Sequence, residues 1–198
     1  MALLTSTPFI FGSEAPPFSL QGVDGKTYSL DSFRDRKGLL VVFMCNHCPY
    51  VVAVHERLSG LAREFAGRGI AVIGINSNDP LYKEADSFEN MKKIAREWNL
   101  PFPYVFDGTQ ETARAYDAVC TPDPYLYEQV NGKFLLRYQG RIDDSWQDES
   151  KVKHRDLAQA MTILANGSGS YEPDPKPSMG CSIKWKELTA EALARKRS

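Results

Sequence analysis

The sequence predicts one α/β domain: a central mixed sheet flanked by helices. Three observations lead there. Continuous apolar runs, suited to strands buried on both faces, alternate with apolar stripes at the three- and four-residue spacing of helices. An Asp-Gly and an Asn-Gly, each set between strand-like runs, mark hairpins near the beginning and the end, so part of the sheet is antiparallel. The chain has 198 residues, 42% of them hydrophobic, and only 4 Cys. It is long enough to bury its own core, and its cysteines are too sparse for a disulfide scaffold.

The elements follow in order. Residues 1–12 read as irregular. Phe18 to Leu30 holds two short runs joined by Val23-Asp24-Gly25-Lys26, the first hairpin. Leu39 to Met44 is a buried strand. Val51, Val54, Leu58, Leu61, Ala62 and Phe65 then form a helical stripe that ends near Gly67. Ile70 to Ile75 is a second buried strand, closed by the polar cluster Asn76-Ser77-Asn78-Asp79-Pro80. Phe88, Met91, Ile94, Ala95 and Trp98 give a helix, Tyr104 to Phe106 a strand, and Thr109 to Tyr116 a short helix. Tyr125 to Tyr127 and Phe134 to Tyr138 flank Asn131-Gly132 as the second hairpin, and Leu157 to Leu164 is another helix. The expected division is a domain over residues 1–166 and a Pro/Gly-rich tail over 167–198, with a last helix from Leu188 to about Arg195.

A net charge of −1 argues against a dedicated nucleic-acid binder. No stretch approaches the ~18 consecutive apolar residues of a membrane span. The first eight residues carry no Lys or Arg and no sustained apolar run, unlike a signal peptide. The expectation is a cytoplasmic protein with no nucleic-acid or membrane partner. Asn166-Gly167-Ser168, a glycosylation pattern elsewhere, then reads as a helix end followed by a linker.

Chemistry concentrates at Cys45-Asn46-His47-Cys48, where a buried strand meets a long helix. A helix N-terminus presents free N–H groups and partial positive charge, which favour the reactive thiolate. Two intervening residues let the second sulfur reach the first. Cys-x-x-Cys in a βαβ setting is a redox signature. Cys45, His47, Cys48 and His55 also offer zinc-ligating atoms, but structural zinc sites draw paired ligands from separate knuckles and no second such pair exists. No metal or organic cofactor is expected. Gly25-Lys26-Thr27 resembles the end of a phosphate loop, but Leu20 stands where its first Gly is required. Phe102, Tyr104 and Phe106 read as core, and His154 as a solvent-facing residue at a helix start.

Several segments together resemble the thioredoxin-like superfamily, in its redoxin branch with the peroxiredoxins and the TlpA/ResA-type thiol reductases. Gly12 to Phe18 resembles the G-x-x-A-P-x-F opening, Asp24-Gly25-Lys26 the first hairpin, and Phe43 to Pro49 the active-site junction. Thr121-Pro122 resembles the cis-proline loop that faces the disulfide. The resemblance covers about residues 12–165. Pro177 to Trp185 lies outside it and is similar to a group of uncharacterised bacterial thioredoxin-like proteins that share the CNHCPY segment. The resemblance implies a thioredoxin fold with an N-terminal β-hairpin and a C-terminal extension. It implies Cys45 as the attacking thiolate, Cys48 as the resolving thiol, and Pro122 in cis, presenting backbone to a substrate chain. Asn46, His47 and Thr121 would tune the pair.

The sequence departs from the pattern in places. Met44 replaces the Trp that precedes the thioredoxin cysteines, and Leu39 stands where thioredoxin has a buried carboxylate, so proton transfer to Cys48 needs another group or water. A cationic His47 would favour the thiolate and raise the potential above thioredoxin's ~−270 mV. The peroxiredoxin motif Pro-x-x-x-Thr-x-x-Cys is absent: Gly38 and Val42 fill its places before Cys45, and Val41 and Cys45 before Cys48. The expected activity is therefore thiol–disulfide exchange with a disulfide-containing protein or small-thiol substrate, reset by a thiol reductant. A thiol-dependent antioxidant peroxidase is the alternative enzyme, and a redox sensor or thiol-binding module the non-enzymatic one. Cys120 and Cys181 are possible accessory thiols. The plainer expectation makes Cys120 a small buried hydrophobe and Cys181 inert packing beside Ile183 and Trp185.

Overall fold

The computed structural model describes residues 3–8 and 10–187. The helix expected from Leu188 lies outside them. In chain order the strands are β1 (Leu3–Thr5), β2 (Ser19–Gly22), β3 (Thr27–Ser29), β4 (Gly38–Phe43), β5 (Ile70–Asn76), β6 (Tyr104–Phe106), β7 (Cys120–Thr121), β8 (Asp123–Val130), β9 (Lys133–Gln139) and β10 (Met179–Ser182). The α-helices are α1 (Pro49–Ala66), α2 (Phe88–Glu97), α3 (Glu111–Ala115) and α4 (Asp156–Asn166).

Seven strands form the central sheet in the order β3-β2-β6-β5-β4-β8-β9. The β4–β5 and β5–β6 pairs are parallel, and the β4–β8 and β8–β9 pairs antiparallel. The sheet is mixed and flanked by helices, as expected. The reason is visible in β4, all six of whose residues are buried. Leu40 and Val42 enter the core beneath α1 and α4, with Val54, Leu58, Phe65, Met161 and Leu164. Leu39, Val41 and Phe43 enter the opposite layer, with Ala113 of α3, Tyr116 and Tyr125. Alternate side chains of a strand point to opposite faces, so covering both faces requires an unbroken apolar run.

The first hairpin closes as Val23-Asp24-Gly25-Lys26 predicts, with Gly25 at φ +85°, where a side chain would be strained. Ser87 caps α2 by accepting from the Asn90 N–H, a contact worth about 1 kcal/mol. Gly167, at φ +66°, ends α4.

Two expectations change. The N-terminus is not wholly irregular, because residues 3–5 form β1. The tail contributes β10, which lies between β1 and β7 in a separate three-stranded antiparallel sheet. Neither strand was legible locally. Each is three or four residues long and is a strand only because segments distant in the chain supply its partners. No helix of the described residues is long and apolar enough to cross a membrane.

Candidate active site

The turn between β4 and α1 carries Cys45 and Cys48. Cys48 is the N-cap of α1 and Pro49 its first residue, where proline's fixed φ suits the helix and its missing N–H costs nothing. Both cysteines are fully buried, and none of the four is in a disulfide. Thr121 joins them. Cys45 Sγ lies 3.3 Å from Thr121 Oγ1, and the Cys48 thiol donates to the Thr121 carbonyl at 3.2 Å. The Thr121–Pro122 bond is cis. The loop so predicted therefore faces both sulfurs.

The residues between the cysteines are tied to Ala85 and Asp86. Asn46 donates its backbone N–H to Asp86 Oδ1 at 2.8 Å and its amide to the Ala85 carbonyl at 2.7 Å, and it accepts from the Tyr104 hydroxyl at 2.9 Å. His47 Nδ1 lies 2.6 Å from Asp86 Oδ2, an ion-pair distance without hydrogen-bond alignment. Asp86 is wholly buried on a short 3-10 turn (Glu84–Asp86) and also accepts from Asn78 Nδ2 at 2.7 Å. His47, which the sequence offers as a cation beside the thiols, thus stands against a buried carboxylate.

The thiols answer to these surroundings. Burial, then the hydrogen bond with Cys48, then the Asp86 charge push the Cys45 thiol well up, while the Thr121 hydroxyl pulls it down. The hydrogen bond with Cys45 holds Cys48 low, at about 5, against burial; Cys181 and the Val51 N–H at the helix start add to it. The two sulfurs titrate as a pair. Of the pair, Cys48 at the helix N-cap is the more acidic and Cys45 the less.

Cys120 and Cys181 occupy neighbouring places in the small sheet. Cys181 is the register partner of Thr121, and Ser182 that of Cys120. Cys181 packs with Cys45 and Cys48, whereas Ile183 joins the opposite layer. Its side chain is hydrogen-bonded to Cys48, and burial followed by that contact pushes its thiol up to about 12. Packing beside Ile183 and Trp185 alone therefore does not describe it. Cys120 is buried, as the plainer expectation had it. Burial and the Asp123 carboxylate push its thiol up.

Sequence reasoning missed two of the buried carboxylates, Asp86 and Asp123. Asp86 sits ten residues past the end of β5, with the polar cluster after that strand as a usable pointer, since functional groups gather at the carboxyl ends of parallel strands. Asp123 follows Pro122 directly. It accepts from Ser6 Oγ at 2.6 Å and the Tyr125 hydroxyl at 3.0 Å, and burial raises it to about 7. An Asp at the head of the buried run Pro124 to Tyr127 was the signal.

A thiol, a ring nitrogen and a carboxylate oxygen from Cys45, His47 and Asp86 lie within 4.8 Å of one another, the donor types of a cation site. His55, offered as a ligand by the sequence, is elsewhere: it contacts the Val52 carbonyl and stacks on Trp98. Beside the cis bond opens an apolar cavity of about 330 Å³, lined by Tyr50, Val54, Pro122, Ile142, Trp146 and Met179 among others. Arg57 fixes its far wall by pairing with Asp143 and donating to the Ser145 and Trp146 carbonyls.

Comparison with known proteins agrees with this geometry. The thiol:disulfide interchange protein DsbE of Yersinia pestis is 28% identical over 145 residues, 71% of this chain and 70% of that protein. An uncharacterized conserved protein from Geobacillus kaustophilus has a crystal structure that superposes with a TM-score of 0.87 at 40% identity, over 94% of this chain and 97% of that one. That share exceeds the first 166 residues, so the likeness extends into the tail. The thioredoxin domain of a thiol-disulfide oxidoreductase from Bacteroides vulgatus, 20% identical with a TM-score of 0.54 over 67% of this chain and 91% of that one, shares the fold. Residues 11–145 match the AhpC/TSA family model, and the chain belongs to that family, in the redoxin branch of the thioredoxin-like superfamily.

Proposed function

We propose that this thioredoxin-like oxidoreductase exchanges a Cys45–Cys48 disulfide with disulfide-containing proteins or small thiols. The observation that carries the reading is the convergence of both sulfurs on Thr121, next to a cis proline and an apolar cavity.

The reaction needs a thiolate at Cys45. Loss of the Cys45 proton creates it. In that arrangement the Thr121 hydroxyl donates to the Cys45 sulfur and Cys48 keeps the proton it donates to the Thr121 carbonyl. Cys45 then attacks one sulfur of the substrate disulfide and expels the other as a thiolate, leaving a mixed disulfide. Cys48 attacks Cys45 Sγ, closes the internal disulfide and releases the second substrate thiol. Two electrons and two protons pass to the substrate, and a thiol reductant restores the dithiol. Both sulfurs are sealed from solvent, so an incoming disulfide reaches them only when the wall of the cavity or the covering strand β10 shifts.

The cytoplasm is the proposed compartment, where such a bond is transient. The test is Cys48→Ser, which blocks release. It should accumulate mixed disulfides through Cys45, while the wild type accelerates reduction of insulin by dithiothreitol. An empty trap together with no insulin reduction would sink the reading. Peroxide consumption at a comparable rate would replace it with a peroxidase.

A further inference from the structure

The C-terminal strap, residues 177–186, is bound across the active-site loop at many points. Ser178 Oγ donates to the Pro122 carbonyl at 2.6 Å. Ser6 N–H donates to the Ser178 carbonyl at 3.0 Å. Lys184 N–H donates to Asn78 Oδ1 at 2.8 Å, and Gln110 Nε2 to the Lys184 carbonyl at 2.8 Å. Between these anchors β10 passes so close to Thr121 that a Cβ on Gly180 would lie 1.9 Å from the Thr121 carbonyl oxygen. Only glycine admits that approach.

The register then decides what the strap delivers. Directly paired residues of an antiparallel ladder put their side chains on one face. Cys181 pairs with Thr121, whose side chain meets Cys45 and whose carbonyl meets Cys48. The Cys181 side chain therefore enters the same pocket and contacts Cys48. It is 4% exposed in a place lined by the redox pair.

We propose that Cys181 is a third exchange thiol of this site, taking Cys48 from a Cys45–Cys48 disulfide to close a Cys48–Cys181 disulfide that ties the strap to α1. The proposal rests on the reading of Cys45 and Cys48 as the redox pair. Cys181 Sγ attacks Cys48 Sγ. The Cys45–Cys48 bond breaks, the Cys48–Cys181 bond forms, and Cys45 leaves as a thiolate that takes up the proton lost by Cys181. The oxidation state of the protein is unchanged, so no further oxidant is needed. Two sulfurs held in contact have an effective concentration far above any free thiol.

The experiment oxidises the full chain with oxidised glutathione, quenches with acid, alkylates and maps the disulfides by mass spectrometry. In Cys45→Ser, the Cys48–Cys181 linkage should exceed Cys48–glutathione at least tenfold. In Cys181→Ser, the Cys45–Cys48 linkage should form as in the wild type, which reports an intact pair and fold. Cys48–glutathione as the main product of Cys45→Ser, with Cys181 recovered alkylated, overturns the proposal while a Cys45–Cys48 bond in Cys181→Ser leaves the redox reading standing. A wild type that forms no bond to Cys48 overturns both.

Discussion

Cys181 and Cys120 differ by one register step in a three-stranded sheet, and that step separates two chemistries. Cys181 faces Thr121 across the ladder and meets Cys48. Cys120 precedes Thr121 on its own strand, so its side chain takes the other face, where Asp123 and Ser6 surround it. One thiol is placed to exchange with the redox pair. The other is held protonated by burial and a neighbouring carboxylate. Side-chain alternation, not sequence distance, makes the difference: Cys181 lies far along the chain from Cys48, and strand pairing closes the gap.

Breaking the strap should have the largest effect. Gly180→Val places a branched side chain where even a Cβ meets the Thr121 carbonyl, so β10 must leave that edge. We expect alkylation of Cys48 in native reduced protein to rise tenfold or more; an unchanged rate would mean that the strap does not cover the pair.

Asp123→Asn tests the other face. Burial raises Asp123 to about 7 in the folded chain, against about 3.9 unfolded. The folded state therefore binds this proton more tightly. Its contribution to stability is fully present below about pH 4 and is lost as pH rises through about 7. Between pH 5 and pH 8 the wild type should lose stability relative to Asp123→Asn by an amount on the order of a few kcal/mol, read as the difference between the two urea-midpoint profiles. Parallel profiles would refute the assignment. The same change should lower the Cys120 thiol and leave the Cys48–Cys181 contact intact.

Asp86→Asn removes the negative charge beside Cys45 and keeps an acceptor for the Asn46 N–H. The Cys45 thiol should titrate lower, and alkylation at neutral pH should quicken several-fold in Cys48→Ser/Asp86→Asn over Cys48→Ser. No change would show that burial alone sets it. The smallest effect is expected from Cys120→Ala: insulin reduction within about twofold of wild type. A loss beyond tenfold would place Cys120 in the exchange and erase its contrast with Cys181.

Much of this protein is legible in its sequence. The apolar run of β4, the helical stripe of α1 and the Cys-x-x-Cys between them are local features, and local sterics and burial dictate them. The hairpins followed from Asp24-Gly25 and Asn131-Gly132 for the same reason. Thr121-Pro122 was placed by resemblance, and its cis bond faces both sulfurs. By contrast, β1 and β10 have no periodicity of their own and exist through long-range pairing. Asp86 and Asp123 are ordinary acidic residues until packing removes their water. The difference in acidity between Cys45 and Cys48 depends on burial, their mutual contact, a carboxylate and a threonine that meet only in the folded chain. The sequence by itself determined the sheet, the helices and the redox pair, because each rests on neighbours a few residues apart. The tertiary structure alone decided which of the remaining cysteines joins that pair, because a register between distant strands selects the face on which each side chain falls.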